Sequence, residues 1–185
     1  MSTAGRAREY GRVAFRVWLP VVAGTGVAVV LGVFARAHEP VRVLSIAGFV
    51  HLQAAKAWLT CGVAALAVLQ VILALALYGR LPRVPAWAWI GPAHRWTGRL
   101  ALLLSLPVAV HCLYSIGLQG DTQPRVLIHA VCGCVFYGAF VAKMLLLSRP
   151  GGGGWGLPVA GGVVFAAIAG LWLSSALWFF TTIGG

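Results

Sequence analysis

Three histidines of this 185-residue chain lie inside apolar stretches, where imidazole is an unusual side chain. They are His51, His111 and His129, and each stretch is long enough to cross a lipid bilayer. Ionisable groups are costly inside a membrane, and those that are found there usually serve a function. Two neutral imidazoles from facing helices are the usual axial ligands of a low-spin b-type haem, so the histidines indicate haem chemistry.

The composition predicts the scaffold that must position these histidines. Hydrophobic residues make up 61% of the chain and charged residues 9%, whereas soluble domains have about 25% charged residues. Barrel strands alternate apolar and polar residues, and the long apolar runs here do not. We therefore predict an all-α integral membrane helical bundle in which residues 1–185 form a single domain and spans two to five form a four-helix core. The five predicted transmembrane helices cover residues 17–35, 47–78, 97–117, 125–147 and 157–180.

The arginines predict the orientation of the bundle. With the N-terminus inside, nine arginines lie on the inner side and three on the outer side, which favours an N-in, C-out protein of the bacterial plasma (inner) membrane. They lie between the apolar runs and not on one face, so the net charge of +11 does not indicate nucleic-acid binding. The sequence before Ala37 also fits a signal peptide, but its apolar stretch is longer than usual, and we expect an uncleaved helix.

The depths of the histidines predict a common site. His111 lies about six residues before the outer end of span three, and His129 lies about five residues after the outer start of span four. His51 lies about four residues into span two, so all three lie roughly 6–9 Å below the outer ends of their helices. His94 lies 17 residues before His111, at the inner edge, and is too far away to join them. We therefore predict one haem b near the outer face, with His51, His111 and His129 as candidate ligands of its iron.

Further residues fit such a haem. Gly133, one turn after His129, leaves room for the edge of a large ring. Either Lys56 or Arg125 is placed to pair with a propionate. The alternative for Lys56 is that its side chain extends to the outer membrane surface. Pro107, four residues before His111, is expected to bend span three.

Gln70 and Lys143 are also unusual inside spans. The sequence leaves open whether they bind a quinone head group, relay protons or form hydrogen bonds between helices.

Two sequence segments carry a resemblance to known haem domains. They are "HRWTGRLALLLSLPVAVH" at residues 94–111 and "HAVCG" at residues 129–133. Both resemble the histidine helices of cytochrome b561-like and ferric reductase-like transmembrane haem domains. The chain is also similar, over about residues 50–180, to an uncharacterised actinobacterial family of small integral-membrane proteins. The shared sequence motifs are "HRW(S/T)GR", "LPVAxHC" and "FYGAFxAK".

The resemblance implies a four-helix haem-binding core that passes electrons through the membrane. His111 and His129 fall on ligand positions, and His94 falls on the first histidine of the motif. Lys143 stands where a second histidine would be needed on span four, which leaves His94 without a partner for an inner haem. The comparison therefore favours a single outer haem.

The choice of ligand pair and of function stays open at this point. Alternate helices of a simple antiparallel core are diagonal, which favours His51 with His129 and makes His111 the alternative. A membrane quinone or a redox protein at the outer face is the expected partner, and homo-oligomers are compatible with the sequence. The competing interpretations are a bare metal held by the three histidines, a small transporter, and a haem-free subunit or assembly factor of a larger complex. That subunit would use a small-residue interface at Gly161, Gly162 and Gly170.

Overall fold

The computed structural model describes residues 3–39, 52–82, 87–118, 123–149 and 154–182. The helices in this part of the chain are α1 (Thr3–Ala37), α2 (Leu52–Leu77), α3 (Ile90–His111), α4 (Pro124–Leu147), α5 (Gly156–Trp172) and α6 (Trp178–Thr182). A π-helical turn, Cys112–Ile116, extends α3, and a second π-helical turn, Leu173–Leu177, joins α5 to α6. The π turns lie at the same end of the bundle, and turns of this kind are frequent at functional sites.

The structure confirms the all-helical fold with five spans. Helices long and apolar enough to cross a membrane cover Val17–Ala37, Gln53–Leu77, Ile90–Ile116, Pro124–Leu147 and Gly156–Thr182. Large apolar side chains point outward from them, for example Val30, which is 66% exposed, and Leu103, which is 61% exposed. Only lipid covers such a surface at low cost, so the chain is a multi-pass membrane protein.

Helix α3 begins earlier than the sequence predicted. The expected start was residue 97, because Gly91 and Pro92 are typical of a connection, but the helix starts at Ile90. Proline is tolerated in the first turn of a helix, where its missing N–H group would have no partner in any case. His94 consequently lies inside α3 and not in the preceding connection.

The five spans form a ring. Helix α1 packs along α4, α4 packs on α5, α5 on α2, and α2 on α3. The ring closes where α1 meets the π turn after α3, and there the Leu118 amide donates a 2.7 Å hydrogen bond to the Ala35 carbonyl. The core therefore includes α1, which the predicted four-helix core left out. Helices α3 and α4 are consecutive in the chain but hardly approach each other.

The contact between α1 and α4 depends on two glycines. Gly24 and Gly138 bring the two backbones together, and a Cβ atom added to Gly138 would lie 2.5 Å from the Gly24 carbonyl oxygen. It would also lie 3.0 Å from the Cβ atom of Ala28. Small residues of this kind allow membrane helices to pack closely, where dispersion contacts replace the hydrophobic effect.

We expect Gly138→Val to destabilise the fold by about 1–3 kcal/mol, because the added side chain must push α1 away from α4. Thermal unfolding in mild detergent, followed by tryptophan fluorescence, measures the loss. Gly161→Val is the matched control, since a Cβ atom at Gly161 meets nothing within 4 Å. Equal melting temperatures for the two variants would contradict the proposed role of the glycine contact.

Candidate functional site

A cavity of about 410 Å³ lies inside the ring, at the end where α1, α3 and α6 finish and where α2 and α4 begin. All five spans contribute to its wall, which is mainly apolar and includes Val63, Phe136 and Ile168. The polar side chains in the wall include Lys56, Arg125 and His129. Both the volume and the few converging polar groups are typical of a small-molecule site. We refer to this space as the ring cavity.

His129 lines the ring cavity and is held by a serine of the second π turn. Its Nδ1 atom lies 3.1 Å from the hydroxyl oxygen of Ser174. The Ser174 hydroxyl donates its own proton to the Gly170 carbonyl at 2.6 Å, so its oxygen accepts the Nδ1–H of His129. This network assigns the tautomer that leaves Nε2 with a free lone pair. A neutral imidazole in that state is ready to bind a metal ion.

Arg125 lies one turn before His129 on α4, and its side chain contacts the backbone of the same serine. Its Nη1 atom donates a 2.8 Å hydrogen bond to the Ser174 carbonyl. The guanidinium carbon also lies 3.8 Å from the ring centroid of Trp178. A π turn interrupts the regular α-helical hydrogen bonds, and the arginine satisfies a carbonyl group there. Ser174 is only 7% exposed and links both cavity residues to the π turn that follows α5.

The basic side chains that line the ring cavity have no acidic partner among its described lining residues. Lys56, on α2, lies close enough to His129 and His111 to interact electrostatically with both. Lys56 and Arg125 both line the cavity, and none of its described lining residues is Asp or Glu. Unpaired cations are costly inside a membrane. The wall is therefore suited to an occupant with an apolar body and acidic groups.

His111 does not line the ring cavity in which His129 lies. His111 is 6% exposed and lies near Lys56, but the ring cavity is lined by the next residue, Cys112. Its Nδ1 atom is buried and has no hydrogen-bond partner in the described part of the chain. His51 lies outside the described residues.

Gly133 lies in the wall of the ring cavity, one turn after His129. An added Cβ atom would meet only Leu171, at 3.9 Å, so the space beside it is open. Helix α3 runs through Pro107 and changes to the π turn one residue after His111.

A hydrogen bond joins the two helices that hardly approach each other. The Ser105 hydroxyl donates to the Leu102 carbonyl at 2.7 Å, and its oxygen accepts the hydroxyl of Tyr137 at 2.9 Å. Both residues line the ring cavity. This bond fixes the separation of α3 and α4 beside the cavity.

Gln70 and His94 lie at the other end of the bundle. The Gln70 amide donates to the His94 carbonyl at 2.5 Å and to the Thr97 hydroxyl at 2.6 Å. Gly98 makes room for this amide, since an added Cβ atom would lie 3.3 Å from the Gln70 oxygen. Of the interpretations left open for Gln70, the structure shows the hydrogen bond between helices. Neither residue lines the ring cavity.

Within the described residues, no group of three or more His, Cys, Asp or Glu side chains could hold a metal ion. A site that included His51 would involve a residue outside that part of the chain.

A known protein family matches most of the chain, including the part that forms the cavity. The family model described as Family of unknown function (DUF6529) matches residues 17–185. The chain belongs to this family. The DUF6529 match includes all five spans and every described residue that lines the ring cavity. No curated protein and no solved structure matches the chain.

Sequence reasoning missed Ser174 as a functional residue. It identified His129 and Arg125 from their position near the start of span four, but their shared partner lies on another helix. The available signal was the pair of serines at residues 174 and 175, which interrupts an otherwise apolar span.

We expect Tyr137→Phe to lower the free energy of unfolding by about 1 kcal/mol, because the hydrogen bond between α3 and α4 is lost. The melting temperature in detergent measures the effect. Tyr78→Phe provides a control, since Tyr78 is 51% exposed and lies in the turn after α2. If both variants melt like the unmodified protein, the Ser105–Tyr137 bond does not stabilise the bundle.

Proposed function

We propose that this DUF6529 protein is a membrane b-type cytochrome that transfers electrons through one haem bound in the ring cavity. The observation that carries the proposal is the hydrogen bond from His129 to Ser174, which leaves the Nε2 lone pair free in an apolar cavity. Ligating histidines characteristically donate their other ring N–H group in this way. Haem would supply reversible one-electron exchange at its iron.

The cations of the wall fit the acidic edge of the same group. Lys56 and Arg125 lie at one end of the cavity, and Arg125 keeps further N–H donors besides the one bound to Ser174. Each would form a charge-assisted hydrogen bond with a propionate carboxylate. Apolar residues such as Phe136 and Ile168 would exclude water from the ring.

His51 is our proposal for the second ligand, because it directly precedes a helix that lines the cavity. Helices α2 and α4 are both neighbours of α5 and lie on opposite sides of the cavity, as the diagonal arrangement requires. His51 directly precedes α2, and Gln53 and Lys56 of that helix line the cavity. His111 does not line it and is kept as the alternative ligand.

The arginine distribution predicts how the protein is oriented for the proposed transfer. It predicts an N-in, C-out protein of a bacterial plasma membrane, with the ring cavity towards the outer face. A quinol in the bilayer would then be the donor, and a redox protein at the outer face would be the acceptor. The resemblance to cytochrome b561-like and ferric reductase-like domains supports electron transfer as the purpose of the haem.

The cation pair also favours a second candidate. A small transporter for an apolar organic anion would need a cavity between helices with cations and no competing carboxylate. Such a transporter would contain no haem, so a single spectrum separates the two candidates.

The decisive experiment is a dithionite-reduced minus oxidised spectrum of the full chain, expressed with ample haem and purified in mild detergent. We expect a sharp absorption band at ~560 nm and about one haem per chain, because the proposed haem has two histidine ligands. His129→Ala should abolish haem retention, whereas His94→Ala should leave it unchanged because His94 lies outside the ring cavity.

Two further variants choose the second ligand. Loss of haem in His51→Ala but not in His111→Ala would establish the diagonal pair. A flat spectrum of the unmodified protein, or equal haem content in the His129 and His94 variants, would refute the cytochrome proposal.

We also expect Ser174→Ala to weaken haem binding by about 10–100-fold, because His129 loses the acceptor that fixes its tautomer. Haem titration of the apoprotein measures this change. Ser175→Ala is the matched control, since Ser175 also lines the cavity but its hydroxyl donates to the Leu171 carbonyl, at 2.6 Å, and not to His129. Equal affinities of the two serine variants would show that Ser174 does not position the ligand.

A further inference from the structure

A second pair of basic side chains lies at the end of the bundle away from the ring cavity. Lys143 is four residues before the end of α4, and His94 is four residues after the start of α3. At ~1.5 Å per residue, both lie roughly 6 Å inside the ends of their helices. Because Arg80, Arg95, Arg99 and Arg149 lie here, we call this the arginine-rich end.

Within the described residues, which do not include the side chain of Glu9, no acidic side chain neutralises either group. Lys143 and His94 are close enough to interact electrostatically, and both are partly buried. The Nδ1 atom of His94 is buried and accepts or donates no hydrogen bond within the described residues. Glu39 has the one described acidic side chain, and it follows α1 at the opposite end. A cation and an imidazole without a carboxylate form a site for an anion.

Few contacts join the helices on either side of this pair. Within the described residues, the main contact between α1 and span three is at the π turn near the ring cavity, and α3 and α4 hardly approach each other. Towards the arginine-rich end, the Gln70 hydrogen bonds hold α3 against α2, while the glycine contact holds α1 against α4. The two helix pairs are therefore separated where Lys143 and His94 interact.

The position of the pair inside the span favours an anion that is itself part of the membrane. A phospholipid phosphate lies near the ends of membrane helices, and its acyl chains can lie against α1 and α3, which share few contacts. Basic residues near the membrane surface also attract anionic lipids. We propose that Lys143 and His94 bind the phosphate of an anionic phospholipid that enters between α1 and α3. This site is separate from the haem proposal and does not depend on it.

Native mass spectrometry of the full chain with phosphatidylglycerol or phosphatidylcholine of identical acyl chains tests the proposal. We expect one phosphatidylglycerol to be retained per chain in preference to phosphatidylcholine. Lys143→Gln should weaken phosphatidylglycerol binding about tenfold, since a charge-assisted hydrogen bond is lost. Lys143→Arg should preserve binding, and His94→Ala should weaken it without removing the lysine.

Two matched variants test whether phosphatidylglycerol is attracted to the basic end of the bundle as a whole and not to Lys143 and His94 in particular. Arg99 lies over the exposed Trp96, 4.9 Å from its ring centroid, so Arg99→Gln removes one charge at the same end outside the proposed site. Lys56→Gln removes one charge at the other end. Both should bind phosphatidylglycerol like the unmodified protein. An equal loss in Arg99→Gln and Lys143→Gln, or equal retention of the two lipids, would overturn the proposal.

Inorganic phosphate distinguishes a lipid site from a site for a soluble anion. Millimolar phosphate should not displace phosphatidylglycerol, because the lipid is also held by its acyl chains. Displacement by phosphate would overturn the lipid proposal in favour of a soluble ligand. Melting temperatures show whether each variant is folded. If Lys143→Gln does not fold, the phosphatidylglycerol binding of His94→Ala tests the proposal instead.

Discussion

The hydrogen bonds of Ser174 hold the candidate site together. Its hydroxyl oxygen accepts the Nδ1–H of His129, and its carbonyl accepts a guanidinium proton of Arg125. The carbonyl is accessible to Arg125 because the helix widens into a π turn at this point. One residue of span five thereby sets the tautomer of the histidine and the position of the arginine, and both groups face an apolar cavity. The proposed haem chemistry depends on this arrangement.

The ring cavity exists because two consecutive helices stay apart. Helices α3 and α4 would ordinarily pack as neighbours, but α1 packs on α4 through Gly24 and Gly138. The remaining link between α3 and α4 beside the cavity is the bond from Tyr137 to Ser105. A five-membered ring encloses more space than four closely packed helices. The first span is therefore part of the site.

The sequence predicted the spans, but it could not predict the order of the helices. Long apolar runs identify membrane helices because the bilayer accepts little else, and the depths of His51, His111 and His129 predicted a common site near the outer ends of their helices. Depth does not determine rotation about the helix axis, so the sequence could not show that Cys112 and not His111 lines the cavity. Ser174 was missed for the same reason, since its role depends on which helices are neighbours. The start of α3 was wrong because proline interrupts helices in the interior but fits their first turn.

The π turn at Leu173–Leu177 also determines what lies beyond it. A π turn holds one residue more than an α-helical turn, so every later side chain is rotated by about 100° around the helix axis. Trp178 stacks on Arg125, and Phe179 lines the cavity, in this shifted phase. In an uninterrupted α-helix the same two aromatic rings would occupy a different sector of the bundle. The single additional residue therefore acts as a phase shift that turns the end of span five towards the cavity.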